Sequence, residues 1–115
     1  MVQLLAFLRR HQHLSFEEFD EMWTNHATLV NKHLKAVQDG SVKYKQFHVD
    51  PKVNAELRAL GRPVLDHDGM VLWEAATLAE IFECIASPEC LEFLRPDDAR
   101  FLAEERVELV AGQFM

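Results

Sequence analysis

Six histidines in 115 residues are the side chains of this sequence best suited to chemistry near neutral pH. An imidazole titrates near pH 6.5, so it gives and takes protons without heavy tuning. Four of the six sit on or beside segments expected to be buried: His26 and His33 on an apolar helical stripe, His48 on a β-rich segment, and His67 in a loop entering another. Tyr44 and Gln46 alternate with His48 and would hold a carbonyl oxygen if their strand turns that face inward. Asp66 and Asp68 flank His67, either orienting it or serving as turn residues in the sequence Asp-His-Asp-Gly. Trp23, Trp73, Phe47, Phe82, Phe93 and Phe101 supply walls for a flat slot that would take a flat aromatic ligand.

Other chemistries lack their residue spacing. No HxH on a strand, HExxH or CxxC pair is present, and His11 and His13 fall in a polar loop, so no metal site is expected. Cys84 and Cys90 have no adjacent basic residue to lower a thiol pKa. Four isolated glycines cannot build a phosphate-binding loop, and no nucleotide fingerprint or other cofactor motif occurs.

The elements that must position these groups follow from periodicity. Residues 2–10 (VQLLAFLRR) are apolar on both alternating sets and predict a strand covered on both faces. Ser15 with Glu18 makes a capping-box pattern, and Phe16, Phe19, Trp23, His26, Val30 and His33 follow at helical spacing. Asp39-Gly40 breaks that helix; residues 42–49 (VKYKQFHV) predict a second strand. Pro51 to Gly61 reads as a short helix, residues 62–68 as a loop, residues 69–75 as a third strand and residues 77–86 as a helix with Leu78, Ile81, Phe82 and Ile85 on one stripe. Pro88 and Pro96 punctuate further helical turns, and residues 106–114 (RVELVAGQF) predict the last strand. The order β-α-β-(α)-β-α-β is that of an α+β, ferredoxin-like split βαβ sandwich, with helices on one sheet face. Strands apolar on both sides then require a second cover, and a second copy of the chain is the simplest one, predicting a face-to-face homodimer.

Composition bounds the rest. With 12 Lys+Arg against 19 Asp+Glu the formal charge is −7, which argues against nucleic-acid binding. Residues 1–115 are expected to form one domain. No stretch approaches the roughly 20 apolar residues of a membrane span, and two cysteines are too few for a stapled secreted scaffold. A cytoplasmic location is expected.

Across nearly the whole chain, LLAFLRR, LSFEEFDEMW, YKQFHV, PVLDHDGMVLWEA and SPECLEFLRPDDARFL resemble, in order and spacing, the EthD-like family of the dimeric α+β barrel superfamily. QFHV, PVLDHDG and RPDDARFL most resemble its fungal branch, which includes cofactor-independent decarboxylases, dehydratases and cyclases of aromatic polyketides. The resemblance implies a dimeric barrel and an enolate step on a phenolic or β-keto substrate, decarboxylation first among them. A carrier of small hydrophobic aromatics and a cofactor-free monooxygenase are the alternatives. His48 and His67 match the family without a gap and are the implied proton-transfer groups. His26 departs, because two residues rather than three separate it from Trp23, which rotates it about 100° on an ideal helix.

Overall fold

The computed structural model describes residues 1–115 and contains one four-stranded antiparallel sheet in the order β2-β3-β1-β4. The strands are β1 (Val2–Leu8), β2 (Lys43–His48), β3 (Gly69–Ala75) and β4 (Glu108–Gly112). β1 and β2 are split by β3, and the chain returns to place β4 beside β1, the ferredoxin-like topology read from the element order. β1 is shorter than expected because Arg9 and Arg10 leave the ladder to reach the Arg62–Asp68 loop. β4 begins late because Glu104–Arg106 close a 3₁₀ turn before it.

The longest helix, α1 (Phe16–His33), starts at a complete capping box in which the Ser15 hydroxyl accepts from the Glu18 amide and the Glu18 carboxylate accepts from the Ser15 amide. Its buried face is Phe19, Trp23, His26 and Val30. A turn, α2 (Lys35–Gln38), follows, and α3 (Pro51–Ala59) begins at the Asp50 cap and buries no residue. α4 (Leu78–Ile85) turns Ile81 and Cys84 inward. A π-helical turn at Cys90–Leu94 then leads into α5 (Arg95–Phe101). Pro96 accounts for the widening: it offers no amide and its ring crowds the carbonyl four residues back, so the turn before it opens.

Register decides which side chains face the helices. Leu4 pairs with Trp73 and Ala6 with Val71, while Tyr44 and Gln46 lie opposite Trp73 and Val71 on β2. These residues share the covered face. The core beneath the helices is two clusters, one around Leu4, Val30, Ile81 and Leu94, the other around Ala6, Phe19, Trp23 and Phe101. Leu5, Phe7, Met70, Leu72 and Val110 lie on the opposite face, which no helix of the chain covers. No helix is long and apolar enough to cross a membrane.

Candidate active site

A cavity of about 540 Å³ lies between the helices and the sheet, bordered by both core clusters. Most of its lining is apolar, and its polar side chains are His26, Tyr44, Arg95, Asp98, Glu104 and Glu105. Trp23, Trp73 and Phe101 form aromatic walls, with Tyr44 tilted against Trp73 at 4.9 Å between ring centroids. Gly69 makes room for one wall: a Cβ there would lie 2.5 Å from Cζ3 of Trp23.

His26 is the chemical centre of this space. Its side chain is 6% exposed, Nδ1 lies 2.7 Å from Oδ2 of Asp97, and Nε2 lies 3.0 Å from Oδ1 of Asp98. A carboxylate only accepts, so both ring nitrogens carry protons in this arrangement. Burial pulls the imidazole pKa down, but the hydrogen bonds and charges of Asp98 and Asp97 outweigh it and leave the pKa raised. Asp97 is fixed in turn by Arg100, whose Nη1 donates at 2.9 Å, whereas Asp98 lines the cavity. Both acids come from the first turn of α5, and Pro96 sets where that turn begins. The Trp23 to His26 spacing does not turn His26 away: three residues apart on a helix is still one face, and the ring packs edge-on to Phe101 at 5.4 Å.

The other sequence-expected residues fall elsewhere. His48 does not line the cavity; its Nδ1 lies 2.6 Å from Asp20 Oδ1, its Nε2 2.8 Å from Gln46 Oε1, and its ring packs on Trp23 at 4.5 Å. Gln46 reaches the site indirectly, donating to the Tyr44 hydroxyl at 2.7 Å. His67 lies across the sheet, beside Phe7 at 5.4 Å and with Nε2 3.0 Å from Glu108 Oε1, so the expected pairing of His48 and His67 in one slot does not form. Its Nδ1 is buried without a partner. Asp66 and Asp68 do not orient His67: Asp66 is exposed and paired with Arg9 at 3.6 Å, and Asp68 accepts from the Arg10 amide at 2.8 Å and from its guanidinium. Both acids are pulled to the two arginines that follow β1, leaving Glu108 as the partner of His67. Phe47 is also misplaced as a wall, since it sits on the uncovered sheet face and is 61% exposed.

Asp97, Asp98 and Arg95 were not singled out from the sequence. The signal was the run Arg-Pro-Asp-Asp, a helix start with two acids in its first turn, but nothing local shows that those acids meet an imidazole 71 and 72 positions away.

No curated protein matches the sequence. Solved structures do match in fold. An EthD family protein from Bacillus halodurans is 19% identical with a TM-score of 0.58, over 100% of this chain and 99% of that one. A dimeric ferredoxin-like protein of unknown function from Bacteroides fragilis is 10% identical with a TM-score of 0.59, over 98% of this chain and 95% of that one. The hydroxynitrile lyase of Passiflora edulis is 17% identical with a TM-score of 0.58, over 99% of this chain and 93% of that one. The EthD domain model matches residues 11–105, a span running from the loop before α1 through the whole of α5. On that match the chain belongs to the EthD family.

Proposed function

We propose that the chain is a cofactor-independent lyase that decarboxylates an aromatic β-keto or phenolic acid of polyketide type, with His26 as the proton donor. The observation that carries this reading is the buried imidazole clamped between Asp97 and Asp98 inside an otherwise apolar, aromatic-walled cavity. A carrier needs only the apolar walls; an imidazole held charged by two carboxylates fits a need for a proton.

Decarboxylation requires few groups. The electrons of the breaking carbon–carboxylate bond move onto the neighbouring carbonyl as an enolate, carbon dioxide leaves, and the enolate carbon then takes a proton. Tyr44 holds the enolate oxygen, since burial raises its phenol pKa and keeps it a donor. His26 supplies the proton from Nε2 as the enolate carbon displaces Asp98, the longer of its two carboxylate contacts at 3.0 Å, and Asp97 with Arg100 keeps the ring in place. Arg95 lines the cavity and donates to Glu104 through Nη2 at 3.4 Å, so its other guanidinium N–H groups are the ones that would meet the substrate carboxylate. The lyase name of one structural neighbour fits this class without specifying it.

Two copies packing their uncovered sheet faces together would complete the fold. Leu5, Phe7 and Leu72 lie there, along with Val110 and Phe47, which are 51% and 61% exposed. Sedimentation should give a species of twice 13.3 kDa, and a 13.3 kDa species at micromolar concentration contradicts the pairing.

The test of the activity is benzoylacetic acid, followed by acetophenone release above the spontaneous rate. His26→Gln should lose on the order of 10²- to 10⁴-fold in kcat while acetophenone still binds. Full turnover per folded molecule in that variant, or acetophenone binding with no turnover in the wild type, overturns the lyase reading, the second outcome in favour of the carrier.

A further inference from the structure

Asp20, His48, Gln46 and Tyr44 form a continuous hydrogen-bonded chain from the surface to the cavity, and the chemistry above uses only its last member. The direction of that chain follows from its acceptors. An amide can ordinarily be placed either way round. Here the side-chain amide of Gln46 lies 2.9 Å from the Trp23 carbonyl, a group that can only accept, so Nε2 must face it. The second Nε2 hydrogen then points to the Tyr44 oxygen at 2.7 Å. Oε1 is left facing His48 Nε2 at 2.8 Å, which must therefore carry a hydrogen, and Asp20 at 2.6 Å holds the other ring nitrogen. With its oxygen already accepting, the Tyr44 hydroxyl has its own proton to give, and no protein group takes it.

We propose that Gln46 and His48, neither of which lines the cavity, are positioning residues that fix Tyr44 as a hydrogen-bond donor into it. Tyr44 then meets an oxygen acceptor of the ligand, a ketone, an enolate or a phenolate, and discriminates against ligands that present a donor there. His48 acts two hydrogen bonds away, through the orientation of one amide. Trp23 takes part twice, its carbonyl setting the amide and its indole packing on the His48 ring at 4.5 Å. This rests on the reading of the cavity as the reaction site.

The test reads the donor directly, through the infrared carbonyl stretch of ¹³C-carbonyl acetophenone bound to the full chain. In the wild type the band should move to lower wavenumber than in hexane, and Tyr44→Phe should abolish the shift. Gln46→Glu, nearly the same shape, should abolish it too with Tyr44 intact, because a carboxylate takes the phenol proton, and kcat for benzoylacetic acid should drop on the order of 10²-fold with KM little changed. Should Gln46→Glu fail to fold, Gln46→Met serves: with no amide donor the phenol turns freely, and the band splits into shifted and unshifted parts. An unshifted band in the wild type, a wild-type shift retained in Gln46→Glu, or a single fully shifted band in Gln46→Met overturns the proposal. The band does not depend on turnover: His26→Gln should lose catalysis and keep the shift, which separates a failure of this inference from a failure of the lyase reading.

Discussion

Gly69→Ala tests the packing that builds the cavity wall. The added methyl would stand 2.5 Å from Cζ3 and 2.8 Å from Cη2 of Trp23, where ordinary contact begins at 3.4 Å, so the indole must retreat by about 1 Å. It has little room. Trp23 is 1% exposed, with Phe19 at 5.7 Å and His48 at 4.5 Å between ring centroids. Moving the ring therefore disturbs both the core beside Phe101 and the His48 contact. Overpacking of this kind costs about 1–3 kcal/mol, and each kcal/mol lowers Tm by roughly 4 °C or more in a domain of this size. A calorimetric melt should show that fall, together with weaker acetophenone binding as the wall advances into the cavity. An unchanged Tm would refute the close approach of Gly69 and Trp23 and the wall built on it.

Other outcomes follow from the same geometry. His26 has a folded-state pKa raised above 6.5, so its contribution to stability is fully present below pH 6.5 and is lost as pH rises through the raised value. The Tm deficit of His26→Gln relative to the wild type should accordingly be largest near pH 6 and shrink toward pH 9; a deficit that grows with pH contradicts the carboxylate clamp. Burial, followed by neighbouring acids, pushes both thiols up, Cys90 to about 11, so iodoacetamide at pH 8 should label neither Cys84 nor Cys90 until denaturant is added. Rapid labelling of the native chain would contradict their burial.

The fold was legible because local pattern and global arrangement agree. The capping box at Ser15 and the two-sided apolar run of β1 each act over a few residues and fall where the structure puts them, whereas α1 ends earlier than the Asp39-Gly40 break, at His33 with Leu34 extended, and Asp39 instead caps the short α2. Strand ends were less legible, because the pull of Arg9 and Arg10 toward Asp66 and Asp68 is a contact between segments about 57 residues apart. The site was legible only in its parts. Trp23, His26, Tyr44 and Trp73 do gather around one cavity, since alternation on strands and i, i+3 spacing on α1 place each on the covered face, and Phe101 joins them from the end of α5. His67 lies in a loop, where no periodicity assigns a face, and the structure puts it on the other side of the sheet. Asp97 and Asp98 depend on how α5 docks against α1, which is a property of packing rather than of spacing.

The central claim is that a buried imidazole is kept protonated in the cavity to serve as an acid. Nitrogen-15 NMR of histidine-labelled protein measures this directly. Both ring nitrogens of His26 should show the shifts of protonated sites at pH 6.5 and give way only above it, with decarboxylation of benzoylacetic acid falling over the same range. A neutral His26 ring at pH 6.5, or turnover that rises as the ring loses its proton, would contradict the account.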